Sequence, residues 1–134
     1  MPCLNSRTRQ LILFFHANAE DIGTSYSMCD HIRTSLDMNV LAVEYPGYGV
    51  YEDAEGPSEA KILKDAELVY NFVLDVAKVE ERNIFVMGRS LGSGPSTHLA
   101  AKFNPGSLLL MSPYTSIKSV VSDKVGFLSA LLAQ

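Results

Sequence analysis

The residues that could do covalent chemistry in this sequence centre on Ser90, in the stretch VMGRSLGSGP (86–95). Gly88-Arg89-Ser90-Leu91-Gly92 has the spacing G-x-S-x-G, directly after an apolar run and directly before a helical pattern. A sharp strand-to-helix turn at such a place lifts a serine hydroxyl clear of the sheet and forces a strained backbone on it. Side chains two residues to either side would collide in so tight a turn, which accounts for the two glycines. The serine also opens a helix, where unpaired amides and the helix dipole favour an oxyanion. That is the layout of a nucleophile; the bland alternative is a glycine-rich turn that only packs. Phosphate binding fits poorly. A P-loop needs Gly-Lys before Ser or Thr and this turn has no lysine, while GSGPST lacks the third glycine of G-x-G-x-x-G.

The elements that must position Ser90 are legible from apolar patterning. The runs LILFF (11–15), VLAVEY (40–45), NIFVMG (83–88) and SLLLMS (107–112) each end in a turn signal and lack polar alternation. Strands buried on both faces read this way. Ile62, Ala66, Val69, Val73 and Ala77 recur at helical spacing, with Glu59 near the start of the pattern and Lys78 at its end. Tyr26, Cys29, Ile32 and Leu36 mark a helix over about 24–37, LGSGPSTHLAAKF another, and the tail from Ser116 reads as an amphipathic helix. Strand and helix in alternation predict an α/β fold, a parallel four-stranded sheet with helices on both faces in three layers. Ligands of such sheets bind at the carboxyl ends of the strands. Here those ends read HANAED, EYPGYGVYED, GRSLGSG and SPYTS.

Length and composition agree with one globular domain. The chain has 134 residues, 47% hydrophobic and 19% charged, with a net charge of −4. That balance disfavours a nucleic-acid surface. No apolar run is long enough to span a bilayer, and the first ten residues do not form a secretory signal. Cys3 and Cys29 lack metal-type spacing and read as free thiols in a reducing compartment. No metal or cofactor is expected. A cytoplasmic location follows, with association at a membrane surface left open.

FFHANAEDIG, VEYPGYGVYEDAEGPSE, VMGRSLGSGP and LLLMSPYTSI stand in the order and spacing of α/β-hydrolases. The sequence most resembles the Bem46-like group, also described as serine aminopeptidase S33-like, which includes the ABHD17-type depalmitoylases. The resemblance covers residues 11 to 121. It implies that Ser90 is the nucleophile, that the Leu91 amide is one oxyanion donor, and that the second comes from around Ala17 and Asn18. The family has glycine where this chain has Ala17, and alanine resists positive φ. The resemblance also implies that His16 orders its loop, and a spatial strand order second, first, third, fourth.

A serine nucleophile needs a base and an acid to orient it. In this family both follow the serine, acid before histidine. After Ser90 come His98 and Asp123, in the wrong order. His98 lies eight residues along the serine's own helix, ~12 Å down the axis, out of hydrogen-bond reach. His98, His31 and Asp123 therefore read as packing or surface residues. Residues 1–134 thus read as a single partial hydrolase domain, cut at both ends. Two readings stay open. One is a serine hydrolase of esters, thioesters or amides, acyl-protein thioesterase-like among them, taking small acyl or peptide substrates with its triad completed elsewhere. The other is a non-catalytic hydrolase-like fragment used for binding or assembly. VLAVEY and SLLLMS are expected as bare sheet edges that recruit another copy or a partner chain.

Overall fold

Five apolar side chains in a row, Leu11–Phe15, form the central strand because they can be buried on both faces at once. In the computed structural model, which describes residues 2–3 and 8–114, all five are buried. This strand, β2, lies between β3 (Asn39–Val43) and β4 (Ile84–Arg89), parallel to both, and β5 (Ser107–Met111) continues the sheet beside β4. The expected order is observed among these four strands. A fifth strand, β1 (Pro2–Cys3), adds an antiparallel pair to β3, with Pro2 opposite Leu41 and Cys3 opposite Val40. It corrects the expectation of a bare edge at VLAVEY, since two residues of that edge are already paired.

Alternate side chains of β2 feed two cores. Leu11, Leu13 and Phe15 pack with Ile62, Ala66, Tyr70 and Val73 of α2 (Glu59–Asp75) and with Leu99 of α3 (Ser93–Lys102). Ile12 and Phe14 pack on the other face with Cys29 of α1 (Tyr26–Leu36) and with Met38, Val40, Ala42 and Met87. The layers are helix, sheet, helix, as the patterning predicts.

Helix α2 starts where Ser58 accepts the Lys61 N–H at 3.3 Å, and Glu59 adds a negative charge to its first turn. Its buried stripe includes Tyr70, which the periodicity did not single out, and it ends at Asp75. Ala77 and Lys78, expected inside it, lie beyond. Lys78 takes a left-handed φ of 54°, and Val79 N–H turns back to the Val73 carbonyl at 3.1 Å. The expected tail helix and Asp123 lie outside the described residues.

Candidate active site

The strand register brings the site together. Phe15 pairs with Val43 on one side and Gly88 on the other, so the segments after β2, β3 and β4 leave the sheet at one level. After β4 the chain makes a 3-10 turn, Ser90–Gly92, and enters α3. Ser90 has φ 48°, left-handed backbone that a non-glycine residue adopts at a cost of roughly 1–2 kcal/mol. What holds it there is packing on either side. A Cβ at Gly88 would meet the Gly92 carbonyl and the Ser96 hydroxyl, and a Cβ at Gly92 would meet the Phe15 carbonyl. Both glycines are therefore required by contact with backbone. Ser93 Oγ closes the turn on the Ser90 carbonyl at 2.6 Å. Ser90 itself is half-buried. Leu91 lies in the first turn, where N–H groups have no intrahelical partner.

The segment after β2 is a tight turn over residues 17–20, with Glu20 N–H donating to the Ala17 carbonyl at 3.3 Å. The residue with positive φ is Ala19, at 60°, and not Ala17. The expected strain from alanine at position 17 is thus absent. Ala17 N–H donates to Glu20 Oε2 at 3.0 Å, whereas no hydrogen bond engages the Asn18 N–H among the described residues. Asn18 Oδ1 accepts from Tyr48 Oη at 2.7 Å. Arg89 reaches across from the end of β4 to Glu20 Oε1 at 2.5 Å, which places residues 17–20 and the Ser90 turn side by side.

His16 is fully buried beneath this turn. Nδ1 faces the Ala17 carbonyl at 2.9 Å and Nε2 faces Glu44 Oε1 at 2.8 Å. Both ring nitrogens are turned to these oxygens within the loop. Glu44 also receives the N–H of Ile22 on Oε2 at 3.1 Å and that of Tyr45 on Oε1 at 3.2 Å. Tyr45 donates to the His16 carbonyl at 2.8 Å, its ring 4.2 Å from the imidazole. Burial pushes the Tyr45 phenol far above its ordinary value, with Tyr48 adding to the effect, so Tyr45 stays a donor. This cluster orders the loop. In the sequence Glu44, Tyr45 and Tyr48 stand in the strand end EYPGYGVYED and in the motif VEYPGYGVYEDAEGPSE, and the one signal of their role is an acid closing an apolar strand.

His98 points away from the site, to Glu67 Oε1 at 2.7 Å, and Lys102 meets Glu67 Oε2 at 2.7 Å. These residues join α2 to α3. Lys102 first, then His98, hold the Glu67 carboxyl below its ordinary range. His31 is exposed on α1. Among the described residues no group of three or more His, Cys, Asp or Glu side chains could hold a metal ion, and no helix is long and apolar enough to cross a membrane. A cavity of about 330 Å³ opens between β3 and α2, lined by Leu41, Val43, Tyr51, Leu68 and Val69, two strands away from β4.

A doubly covered parallel sheet with a left-handed serine at a strand-to-helix turn is an α/β-hydrolase arrangement, and the comparisons agree. An alpha-beta hydrolase from Vibrio vulnificus superposes with a TM-score of 0.74 over 85% of this chain and 42% of that one, at 24% identity. No protein-family model matches the chain. In sequence it is 32% identical over 123 residues to L404 of Acanthamoeba polyphaga mimivirus (91% of this chain, 46% of that protein). It is 31% identical over 109 residues to alpha/beta hydrolase domain-containing protein 17C of Xenopus tropicalis (81% and 34%). It is 30% identical over 116 residues to Protein bem46 of Schizosaccharomyces pombe (85% and 38%). The chain has an α/β-hydrolase fold and its relatives in sequence are α/β-hydrolases, of which it spans less than half the length.

Proposed function

We propose that this chain carries the nucleophile and oxyanion half of a serine hydrolase acting on ester, thioester or amide bonds. The observation behind the reading is the left-handed Ser90 between β4 and α3, walled by Gly88 and Gly92. Ser90 Oγ attacks the acyl carbon and gives up its proton to a base. The resulting oxyanion is held by the Leu91 N–H and an amide of the Ala17–Asn18 turn. The leaving alcohol, thiol or amine takes the proton, and water then releases the acyl group from Ser90. The base and its acid come from outside the described residues, because His16 has both nitrogens engaged and His98 is held by Glu67. Within this class we favour small acyl or peptide substrates, with an acyl-protein thioesterase-like activity included, in the cytoplasm or at a membrane surface.

A fluorophosphonate probe tests the reading. The 134-residue chain should label slowly at Ser90, S90A not at all, and a longer chain that supplies an acid and a histidine should label fast. Equal, slow labelling of the longer chain would favour the second reading, a non-catalytic binding module. The engaged histidines are the observation behind that alternative.

A further inference from the structure

One residue closes the turn after β2 twice. Glu20 N–H donates to the Ala17 carbonyl, and Glu20 Oε2 accepts the Ala17 N–H. Its other oxygen takes Arg89 Nη1, and Arg89 immediately precedes Ser90. A single carboxylate therefore ties both ends of the turn to the side chain of the residue before the serine. The consequence is a choice between two amides. Ala17 N–H is used inside the turn. Asn18 stands at its first corner, whose N–H takes no part in the i to i+3 bond that closes a β-turn. Tyr48 Oη holds the Asn18 side chain by donating to its Oδ1.

We propose that Glu20 is a positioning residue of the oxyanion site. It withdraws Ala17 N–H, clamps the turn through the Arg89 guanidinium to the end of β4, and leaves Asn18 N–H as the loop donor beside Leu91 N–H. The proposal rests on the serine-hydrolase reading above. The demand is geometric, since an oxyanion donor acts from about 2.7–3.1 Å and a shift of half an ångström forfeits it. A four-residue turn with alanine at its left-handed corner does not hold that tolerance alone. The Glu20 and Arg89 side chains are 24% and 43% exposed, so the bond between them is screened and its value lies in direction more than in strength.

The test uses the 134-residue chain and its E20A and E20Q variants, with thermal unfolding to confirm that each folds. In E20A the Ala17 amide should exchange its hydrogen roughly tenfold faster, as local opening rises, while E20Q retains protection through its amide oxygen. Unchanged exchange at Ala17 in E20A overturns the clamp. After forced phosphonylation of Ser90 in the parent chain, the amide protons of Asn18 and Leu91 should move downfield in the NMR spectrum and that of Ala17 should not. Movement of Ala17 with Asn18 unmoved overturns the choice of donor. Ser90 labelling should fall by up to ~10²-fold in E20A, the scale of one lost donor, and recover in part in E20Q. If Ser90 takes no label in any form, parent included, the serine-hydrolase reading fails, and the exchange measurement still decides the clamp.

Discussion

Strands β2 and β5 are nearly interchangeable as text, LILFF against SLLLM, yet they live in opposite surroundings. Every side chain of β2 is buried, whereas Leu108, Leu109, Leu110 and Met111 of β5 are 37–40% exposed. The difference is position. β2 has a strand on each side and a helix layer on each face, while β5 has one neighbouring strand among the described residues. Apolar character alone thus reports that a strand can be buried, and its place in the sheet decides whether it is.

Truncating the two strands should break this equivalence most visibly. Phe14→Ala is expected to cost about 3–5 kcal/mol, a buried aromatic lost from a close-packed layer, while Leu109→Ala should cost below ~1 kcal/mol. Urea unfolding of the two variants checks the contrast. Similar costs would mean that β5 is covered in solution.

The loop between β2 and α1 extends the comparison to polar groups. Glu44→Ala leaves His16 Nε2 and the N–H groups of Ile22 and Tyr45 without their acceptor. A buried donor so orphaned costs ~1–3 kcal/mol, so this variant should approach the Phe14 truncation. His98→Ala, which loses one partly exposed pair with Glu67, should stay within ~1 kcal/mol. The same urea titration separates the two histidines' roles.

Backbone changes come next. Ala19→Gly relieves a left-handed alanine and should stabilise the chain by about 1 kcal/mol, whereas Ala17→Gly should gain nothing. A gain at position 17 equal to that at 19 would contradict the observed turn. Light scattering at micromolar concentration addresses β5 as an edge: the chain should self-associate, and Leu109→Lys should reduce it. A parent chain that stays monomeric would show that this edge is closed.

The smallest effect concerns the surface. Lys61 holds the Asp53 carboxyl below its ordinary value of 3.8, mainly by a direct hydrogen bond of 2.8–2.9 Å. Because the folded pKa is depressed, the pair's stabilisation is complete above the ordinary value and is lost as pH falls from there through the lower folded value. Thermal unfolding from pH 6 to pH 3 should therefore fall slightly less in D53N than in the parent. Parallel curves would remove the pair from the account.

By itself the sequence determined the four parallel strands, their order through the hydrolase resemblance, and the turn at Ser90. Buried strands and glycine-walled turns are local requirements that a few residues must meet in order. It also excluded His98 as a base, because helical rise is fixed. Four outcomes waited for the tertiary structure. They are the two-residue strand β1 on β3, the left-handed corner at Ala19 instead of Ala17, the burial of His16 against Glu44, and the reach of Glu20 to Arg89. Each joins groups whose meeting depends on how strands pair or which way a turn opens. Glu20 and Arg89 stand 69 positions apart in the chain. No spacing rule connects them, and only the pairing of β2 with β4 brings them within a hydrogen bond.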